Sequence, residues 1–480
     1  MTDETVTAQR LVRRFARETN LLVSGRDFSV IGTDGVAEAL RALLPALGAH
    51  LGDAGVVFAP GGTPEILLDG EALPPRERAE DRVDAAGRHM PVATDRARRL
   101  RENGTVRGVR IGIAMVLEPK TAQLALLLRD AGATVAVYAH PDEIDVEVAE
   151  VLRSRGIPVD GDPSLSGAAE RAAAVSFLRR GFDLLLDDGS HLIRLAHEES
   201  LAPQLRGAAE ETTSGLTPLR LMEREGVLEI PVIAVNDALT KTSFDNRYGT
   251  GQSCVFAIAD ALDDAGIRLR DQPAVVVGYG PVGEGVAAHL RGLGAQVGVS
   301  ETDPVRALRA AHDGYRIGRL HDLAPGALVV SATGAPHTVD AEVLRTAAIV
   351  AVAGGVPHEI DLDASTLRPY EGVNGEASAF VERAGTGALV IARGGCVNLS
   401  AGEGNPIEIM DLSFSVQLFA VEHLLAHELP AGVHPLPAEA DVTIGTAALA
   451  LRGEHIDQRS RAQVNAQREW RSPRFRGESA

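Results

Sequence analysis

The stretch PAVVVGYGPVGEGVAAHLRGLGAQVGVSETDP, residues 273–304, constrains the fold of this chain more than any other segment. A run of valines, a glycine-rich turn, a helical pattern and a second apolar run follow one another, which is the order of a β–α–β unit. The turn has the spacing G-x-G-x-x-G at Gly278, Gly280 and Gly283. The second strand ends at Glu301, 18 positions after Gly283, close to the spacing of about 20 in dinucleotide-binding units. The segment therefore predicts a doubly wound α/β domain with a dinucleotide site.

Each part of this turn has a physical reason to contact a dinucleotide. The first glycine permits the tight turn, and the second lets the backbone approach a pyrophosphate at the helix N-terminus, which Pro281 and Val282 open. The acid Glu301 can bind the ribose hydroxyls, and no arginine directly follows it to hold a 2′-phosphate. We therefore expect NAD rather than NADP. The alternative is a tight turn in an α/β unit without a ligand.

An earlier alternation of strands and helices ends in acidic residues. The pattern predicts strands at 109–116, 133–139 and 182–190 and helices at 120–132 and 143–156. This rhythm is typical of a parallel sheet with helices on both faces, so the predicted fold class is α/β with two doubly wound, Rossmann-like domains. Ligands of such sheets bind beyond the carboxyl ends of the strands. Asp188 lies at such an end, where a helix N-cap or a turn is the alternative.

Composition excludes several classes of function. The 480 residues can form two or three domains, and 45% hydrophobic with 4% aromatic residues suits an α/β core of Ala, Val, Leu and Ile. The net charge of −19 argues against a nucleic-acid binder. Two cysteines are too few for a disulfide framework or a cysteine metal site, and we expect no metal. No apolar run is long enough to span a membrane, so we expect a cytoplasmic protein without a membrane partner.

Lysine is almost absent from the chain, which makes the two positions that keep it informative. Lysine and arginine total 47 residues, and only Lys120 and Lys241 are lysines. Guanidinium stays protonated in proteins, whereas an amine loses its proton when it is buried or lies near another cation. A lysine that survives this bias is a candidate for proton transfer, and a chance surface charge is the alternative. Lys241 lies in the segment VNDALTKTSFDNRYGTGQS, residues 235–253.

Two later strands end in small residues that let a ligand approach the backbone. They are predicted at 326–334 and 347–355. In a parallel sheet their carboxyl ends lie on the ligand side. We therefore expect these ends to line the nicotinamide through Thr333, Gly334 and Gly354.

Several segments together resemble one enzyme family. They are EETTSGLTPLRLMEREGVLEIPVIAVNDALTKTSFDNRYGTGQS (210–253), GYGPVGEGVAAHLRGLGAQV (278–297), VNL (397–399), GNP (404–406), PAGVHPLP (430–437) and GRHMPV (87–92). These segments resemble landmarks of the S-adenosyl-L-homocysteine hydrolase family. The resemblance extends from about residue 80 to about residue 445.

The resemblance implies an elimination on a nucleoside that is made possible by a redox step. A tightly held NAD⁺ oxidises the ribose 3′-hydroxyl, a base removes the acidified C4′ proton, the 5′ substituent is eliminated, water adds at C5′, and the ketone is reduced again. By the resemblance, Lys241 serves the oxidation, and Asp245 holds the hydroxyl and orients the lysine. Glu211 and Thr212 would hold the ribose, with Asp188 at the C4′/C5′ end. The residues placed near the cofactor in the same way are Asn236, Asn246, Thr212, Thr213 and Asn398.

The chemistry of lysine agrees with this implied role. Removing a proton next to a carbonyl needs a base with a pKa near the working pH. We expect a lysine in a closed site beside the nicotinamide cation to have a lowered pKa. Arginine could not serve, which explains why Lys241 resists the arginine bias.

The chain departs from the family where the substrate is recognised. The family's His-Met-Thr-x-Glu-Thr stretch aligns with VLEPKT, residues 116–121, so Glu118 replaces a threonine and Lys120 replaces the glutamate that binds adenine. A glutamate accepts a hydrogen bond from an amino group, whereas a lysine only donates. Asn405 replaces a histidine that also contacts adenine, and His191 replaces the acid after Asp-Asp-Gly-Gly.

Further departures lie at the 5′ end of the substrate and at the C-terminus. A family histidine aligns with Gly355, although His358 is close by, and a cysteine near the nicotinamide becomes Thr250. The family's Lys-x-Asp-x-Tyr-Arg-Tyr tail, which reaches a neighbouring subunit's NAD, is replaced by RSPRFRGESA, residues 471–480. Drift or a one-residue misalignment is the alternative for each change taken alone.

Together these changes keep the redox half of the site and alter the half that recognises adenine and the 5′ leaving group. This pattern favours a paralogue that acts on another nucleoside, with hydrolysis, dehydration or epimerisation as the outcome. An ordinary S-adenosyl-L-homocysteine hydrolase is one alternative. A non-catalytic NAD-binding regulator of a true hydrolase is another, although a pseudoenzyme has no reason to keep Lys241.

The predicted domain organisation follows the family. An N-terminal extension of unknown role precedes a substrate domain in two pieces, with the NAD domain between them and a C-terminal arm at the end. The site would close by hinge motion near 240–250 and 402–410, and we expect a homo-oligomer, dimer or tetramer. The boundaries are 1–78 for the extension, 79–245 and 403–445 for the substrate domain, 246–402 for the NAD domain and 446–480 for the arm.

Overall fold

Three β-sheets organise the chain in the computed structural model, which describes residues 3–53, 55–61, 65–73, 78–370, 381–385, 387–471 and 474. Two of them are large sheets of mainly parallel strands with helices between the strands. The predicted α/β class with two doubly wound sheets is therefore confirmed. Most of the segment 471–480, where the chain departs from the family's tail, lies outside the described residues.

The helices occupy the connections between strands, as expected for doubly wound folds. They are α1 (Asp3–Thr19), α2 (Gly35–Ala46), α3 (Ala79–Arg88), α4 (Pro91–Asn103), α5 (Pro119–Asp130), α6 (Val146–Ser154), α7 (Gly167–Leu178), α8 (His191–Glu198), α9 (Thr213–Glu225), α10 (Leu239–Lys241), α11 (Thr250–Asp264), α12 (Pro281–Gly292), α13 (Pro304–His312), α14 (Leu320–Leu323), α15 (Ala341–Thr346), α16 (Val397–Ser400), α17 (Ile407–Ala426), α18 (Ala438–Leu451) and α19 (Arg461–Arg468).

The strands are short, and most of those in the two large sheets are buried. They are β1 (Asp27–Val30), β2 (His50–Leu51), β3 (Val56–Ala59), β4 (Glu65–Leu68), β5 (Glu71–Ala72), β6 (Arg110–Ala114), β7 (Thr134–Tyr138), β8 (Val159–Asp160), β9 (Leu184–Asp187), β10 (Gly207–Glu210), β11 (Pro231–Ala234), β12 (Pro273–Val277), β13 (Gln296–Ser300), β14 (Arg316–Ile317), β15 (Leu328–Ser331), β16 (Ile349–Val352), β17 (Leu367–Pro369), β18 (Val381–Ala384), β19 (Leu389–Ile391) and β20 (Gly432–His434).

The N-terminal extension folds around a small sheet of order β2–β1–β3–β4–β5. Its core holds Phe15, Phe28 and Phe58, with ring centroids 5.3 Å apart for the first two and 5.6 Å apart for the last two. The helix predicted at 33–52 ends at Ala46, because the chain turns there and residues 50–51 pair with β1. Helix α1 was not anticipated from the sequence.

The second sheet has the order β20–β11–β10–β9–β6–β7–β8, and all its strands are parallel. The strands predicted at 109–116, 133–139 and 182–190 are β6, β7 and β9. In the register of this sheet, Asp187 lies beside Ala114 on one side and beside Glu210 on the other. The acids that follow β9 and β10 therefore meet at the carboxyl edge, where ligands of such sheets bind.

The third sheet has the order β14–β13–β12–β15–β16–β19–β18–β17. Its strands are parallel from β14 to β19, and the last two strands run antiparallel. The G-x-G-x-x-G turn connects β12 to α12, as predicted. The strands predicted at 326–334 and 347–355 are β15 and β16, which lie beside β12 in the same sheet.

One long apolar helix runs through the core. Helix α17 packs against α4, α5, α10 and α18. Among the described residues it is the one helix long and apolar enough to cross a membrane, and 67% of that span is buried inside the protein. Its polar residues Asp411, Ser413 and Gln417 are also buried, so each needs a hydrogen-bond partner on a neighbouring element.

Candidate active site

Lys241 lies at the centre of a buried polar cluster. Its ammonium nitrogen lies 2.8 Å from a carboxylate oxygen of Asp245, and it donates to Oδ1 of Asn246 (3.0 Å) and of Asn236 (3.3 Å). The Lys241 side chain is 2% exposed. The Asn246 amide in turn donates to Oδ1 of Asn236 at 3.2 Å. The structure therefore brings together the four residues that the sequence placed at the redox centre.

An unusual helix geometry makes this convergence possible. The chain is α-helical over 239–241, π-helical over 242–249 and α-helical again from Thr250. In the π segment the Thr250 N–H bonds to the Asp245 carbonyl, five residues back. Short π segments are rare and frequently mark functional sites. The wide turn places the side chains four and five positions after Lys241 against its ammonium group.

Asn405 extends the cluster towards the loop before α17. Its amide nitrogen donates to Oδ1 of Asp245 (2.5 Å) and to Oγ1 of Thr250 (3.0 Å). Its amide oxygen accepts from the Ser253 hydroxyl (2.8 Å) and from Nδ2 of Asn398 (3.1 Å). Asn405 thus orients the carboxylate that pairs with Lys241.

The pKa of Lys241 differs from the sequence expectation. Burial lowers it, but attraction to the carboxylates of Asp245, Glu211 and Asp188 outweighs burial, and the pKa of Lys241 is raised above its ordinary value. The expected lowering considered only burial and a neighbouring cation. It did not foresee that three acids surround the amine.

The acid Glu211 is held by α17. It accepts hydrogen bonds from the Ser413 hydroxyl and from Nε2 of Gln417, the latter at 2.6 Å. Burial raises the pKa of Glu211 to about 7, and the nearby Lys241 opposes that rise. Glu211 is therefore in electrostatic reach of Lys241, although its oxygens bond to helix residues that sequence reasoning did not select.

Thr212, Thr213 and Asp188 lie at the carboxyl edge of the second sheet. The Thr212 hydroxyl caps helix α9 at the Gly215 N–H and donates to Glu210 at 2.7 Å, while Thr213 is exposed at the start of the helix. Burial raises the pKa of Asp188, and Lys241 opposes that shift. Asp188 therefore lies near the Lys241 cluster rather than serving as a helix cap.

The glycine-rich turn has the geometry of a dinucleotide cradle. Gly278 has a φ of +90°, which favours glycine, and a Cβ on Gly283 would lie 2.0 Å from the Gly278 carbonyl oxygen. Helix α12 begins after Gly280, with Pro281 and Val282 as its first residues. The residues present fit a pyrophosphate at this helix N-terminus.

Glu301 lies at the end of β13 beside this turn. It accepts backbone hydrogen bonds from Tyr279 (2.6 Å) and Asp303 (2.9 Å). These backbone donors outweigh burial, so the pKa of Glu301 is lowered and it stands ionised. The Arg306 guanidinium also reaches the turn, 3.6 Å from the position of a Gly280 Cβ. Glu301 is thus placed to accept hydrogen bonds from ribose hydroxyls.

The ends of β15 and β16 meet around an acid that sequence reasoning missed. Oε1 of Glu359 accepts from the Ser331 hydroxyl (2.5 Å) and from the N–H groups of Thr333 (3.1 Å) and Gly334 (3.3 Å). Its other oxygen is buried without a hydrogen-bond partner, and a Cβ on Gly354 would lie 2.3 Å from it. An unpaired buried oxygen beside a glycine leaves a place for a donor from a ligand.

Lys120 is buried at a junction with the N-terminal extension. Its ammonium lies 2.8 Å from the Glu118 carboxylate and donates to Oδ1 of Asn20 (2.7 Å) and to the Glu403 carbonyl (3.0 Å). Glu118 also caps helix α5. An ammonium has three donors, and three protein oxygens take them up. A base would contact Lys120 only by replacing one of these partners.

Two other predicted substrate residues lie outside the Lys241 cluster. His191 is exposed at the start of α8, with its ring 5.0 Å from that of His140. His358 is exposed and stacks on His337, with centroids 6.5 Å apart. The structure therefore places His191 near the acidic edge of the second sheet and His358 on an exposed loop after β16.

Comparison with known proteins follows the same pattern as the geometry. The family described as "S-adenosyl-L-homocysteine hydrolase, NAD binding domain" matches residues 246–404. An adenosylhomocysteinase of Archaeoglobus fulgidus is 38% identical over 400 residues, covering 81% of this chain and 98% of the relative. An S-inosyl-L-homocysteine hydrolase of Methanopyrus kandleri is 36% identical, covering 85% and 97%. An adenosylhomocysteinase of Thermotoga maritima is 34% identical, covering 82% and 99%.

The parallel sheet, the glycine-rich turn and the acid after β13 define an NAD-binding α/β enzyme. The relatives extend this class to a family, because they match at 34% identity or more over nearly their whole length. The chain belongs to the S-adenosyl-L-homocysteine hydrolase family, and its cofactor is NAD. The resemblance inferred from the sequence is confirmed.

Proposed function

We propose that this chain oxidises the 3′-hydroxyl of a nucleoside, removes the C4′ proton and eliminates the 5′ substituent, and that its substrate is not S-adenosyl-L-homocysteine. The observation that carries the first part is the buried contact of Lys241 with Asp245, Asn236 and Asn246. The altered surroundings of Lys120 carry the second part. The outcome would be a hydrolase or a lyase such as a nucleoside dehydratase.

The cofactor half of the site follows from the chain's own residues. NAD⁺, when bound, supplies the oxidising equivalent for the 3′-hydroxyl. The turn from Gly278 to Gly283 would hold the pyrophosphate, and Glu301 would hold the adenosine ribose. The residues that would line the nicotinamide are Thr212, Thr213, Asn236, Asn246, Thr333, Gly334, Gly354 and Asn398.

Lys241 and Asp245 would act as a pair on the 3′-hydroxyl. The carboxylate, fixed by Asn405, accepts a hydrogen bond from the hydroxyl and keeps the lysine in place. An amine gives up a proton more readily when a positive charge is brought beside it, and oxidised nicotinamide carries such a charge. The raised pKa of Lys241 would then fall towards the working pH, where an amine can exchange protons with the substrate.

The Lys120 junction supports a different substrate. An adenine amino group needs an acceptor, and Lys120 has none. Two further changes, Asn20 from the extension and Asn405, bring amide groups to the same wall of the site. The relatives include proteins named for adenosyl and for inosyl substrates at similar identity, so overall similarity does not select the base.

The acidic edge of the second sheet is the proposed 5′ end of the substrate. Asp188 would act near C4′ and C5′, with Glu211 and Thr212 on the ribose. His191, Glu118 and His358 would contact the substrate on this side. Hydrolysis, dehydration and epimerisation share the oxidation and C4′ deprotonation steps, and they differ in what happens after elimination.

The molecule-level proposals follow the family. We propose that 79–245 and 403–445 form the substrate domain and 246–402 the NAD domain, with hinges at 240–250 and 402–410. We further propose a cytoplasmic homo-oligomer. The extension 1–78 and the arm 446–480 would lie outside this common body.

Product analysis tests the substrate proposal. Holo-protein is incubated separately with S-adenosyl-L-homocysteine, S-inosyl-L-homocysteine, adenosine and inosine, and products are separated by mass. We expect no release of homocysteine from S-adenosyl-L-homocysteine and conversion of another nucleoside. Efficient release from S-adenosyl-L-homocysteine would make the chain an ordinary hydrolase, which its 38% identity to a named one also allows. Conversion of none, with unchanged NAD, would favour a regulator.

A further inference from the structure

A cavity at the carboxyl edge of the second sheet contains a histidine–carboxylate pair. Its volume is about 270 Å³, and it lies between the first turns of α7 and α8, beyond the end of β7. Ligands of parallel sheets bind at this edge. The polar residues that line it include Tyr138, His140, Glu170, Arg171, His191 and Arg194.

The geometry of the pair fixes which nitrogen of the histidine is available. Nδ1 of His140 lies 2.9 Å from Oε1 of Glu170. An ionised carboxylate only accepts hydrogen bonds, so Nδ1 carries the proton. Nε2 of His140 is buried and has no hydrogen-bond partner. A buried nitrogen left unpaired in a native protein calls for an explanation, of which a catalytic role is one.

Exposure sets this pair apart from the others in the described part of the chain. His140 and Glu170 have side chains that are 18% and 30% exposed. The histidines paired with carboxylates elsewhere are 69%, 51% and 72% exposed, at His50, His321 and His337. Exposed pairs of this kind contribute little to stability and are common on protein surfaces. The His140 pair is the one in a cavity beside the proposed site.

The cavity lies next to the proposed 5′ end of the substrate. The His140 ring packs edge-on against His191, with centroids 5.0 Å apart, and His191 follows Asp188 by three residues. Burial raises the pKa of Asp188, whereas the charges of Lys241 and His140 both lower it. Asp188 is thus in electrostatic reach of the redox lysine on one side and of His140 on the other.

We propose that His140, oriented by Glu170, is the proton-transfer residue at the 5′ position of the substrate. The inference rests on the proposed function and adds a catalytic residue to it. A histidine whose second nitrogen is fixed by a carboxylate is the arrangement that general acid–base catalysis uses.

The proton balance of the step is closed. In the 3′-ketone, a base removes the C4′ proton, the C4′–C5′ double bond forms, and the bond from C5′ to its substituent breaks. The substituent leaves with the electron pair, and the protonated His140 gives it the Nε2 proton. For hydrolysis, neutral His140 then takes a proton from the water that adds to C5′, while C4′ is reprotonated. In a dehydration the leaving group is hydroxide, which departs as water.

Separating the half-reactions tests this assignment. The wild-type protein is screened with adenosine, inosine and the homocysteine thioethers of both, and the probe that reduces bound NAD⁺ is used for His140→Asn and Glu170→Gln. Three rates are measured: reduction of bound NAD⁺, exchange of the C4′ proton in deuterium oxide, and loss of the 5′ substituent. The last is followed as free thiol from a thioether or as heavy oxygen entering C5′ from labelled water.

We expect both variants to keep the first two rates within a few-fold and to lose about 100-fold or more in the third, the range of acid–base catalysis. Added imidazole should restore part of the third rate in His140→Gly, which a purely structural role would not allow. Third rates equal to wild type in folded His140→Asn would overturn the assignment while leaving the proposed function intact. Absence of NAD⁺ reduction in the wild type with every probe would overturn both.

Discussion

At the scale of single residues, the site depends on groups that gain their properties from neighbours. Lys241 is surrounded by Asp245, Glu211 and Asp188, and their attraction raises its pKa despite burial. Lys120 is equally buried, but protein oxygens hold all three of its donors. The two lysines that escaped arginine substitution therefore have different roles. One can exchange a proton with a ligand, and the other joins the extension to the site wall.

Replacing Lys241 with arginine tests the proton-transfer role. The charge is kept, but a guanidinium does not lose its proton, so we expect the rate of bound NAD⁺ reduction to fall by about 100-fold or more. Stopped-flow absorbance of the reduced nicotinamide gives the rate. Arg247→Lys, on the same π segment but half exposed, is the matched control and should keep its rate. An unchanged rate in Lys241→Arg would show that proton release from this side chain is not needed.

The contact of Lys120 with Asn20 has a measurable coupling. Asn20→Ala leaves a buried ammonium donor unpaired, which should lower the free energy of unfolding by about 1–3 kcal/mol. In a Lys120→Met background that donor is gone, so the same substitution should cost clearly less. Denaturant unfolding of the four proteins gives the double-mutant cycle. Additive effects would mean that the two side chains do not interact in solution.

At the scale of elements, helix α1 ties the extension to the helix that follows the π segment. Arg13 is 3% exposed and pairs with Asp260 (2.7 Å) and Asp263 on α11. Nearby, Gln252 accepts from the Val23 N–H (2.8 Å) and donates to the Leu21 carbonyl (3.1 Å). Because these contacts lie just after one proposed hinge, the extension braces the segment that positions Lys241.

Substituting the arginines of α1 measures this bracing. Arg13→Ala leaves two partly buried carboxylates without their cation and should lower the free energy of unfolding by about 2 kcal/mol, less than for fully buried pairs because the acids are partly hydrated. Arg17→Ala removes a pairing of the same Asp260, but Arg17 is 51% exposed, and the cost should stay below about 1 kcal/mol. Chemical denaturation compares them. Equal effects would mean that α1 does not dock tightly on α11.

At the scale of the whole molecule, the carboxyl edges of both large sheets concentrate the chemistry. The second sheet brings acids to its edge, and the third brings the glycine-rich turn and the Glu359 oxygens. Many of the buried acids carry raised pKa values because burial disfavours their charge. The values are about 7 for Asp187, Glu211 and Asp411 and about 8 for Glu143.

These shifts predict how stability depends on pH. An acid whose pKa is raised by folding binds a proton in the native state that the unfolded state has lost, so its stabilisation is lost as pH rises through the folded pKa. We expect the free energy of unfolding, at saturating NAD, to fall as the pH rises from about 6.5 to about 8.5. Glu143→Gln should flatten the upper part of that fall. A free energy that rises over this window would contradict the burial of these acids.

The sequence predicted the features that depend on local chemistry. The glycine spacing, the strand ends and Glu301 lie where expected, because turn geometry and the alternation of strands and helices are encoded locally. The contacts of Asn20 with Lys120 and of His140 with Glu170 were not predicted. They join residues 100 and 30 positions apart, and such contacts come from tertiary packing. The raised pKa of Lys241 was missed for the same reason.

The measurement that tests the account most directly is the spectrum of the bound cofactor. Purified holo-protein is mixed in turn with adenosine, inosine and their homocysteine thioethers, and the absorbance band of reduced nicotinamide is recorded. The account predicts that at least one nucleoside produces this band, that S-adenosyl-L-homocysteine is not the best of them, and that Lys241→Arg abolishes it. No band with any of them, in a protein that holds NAD⁺, would contradict the assignment of Lys241 and Asp245 to 3′-oxidation.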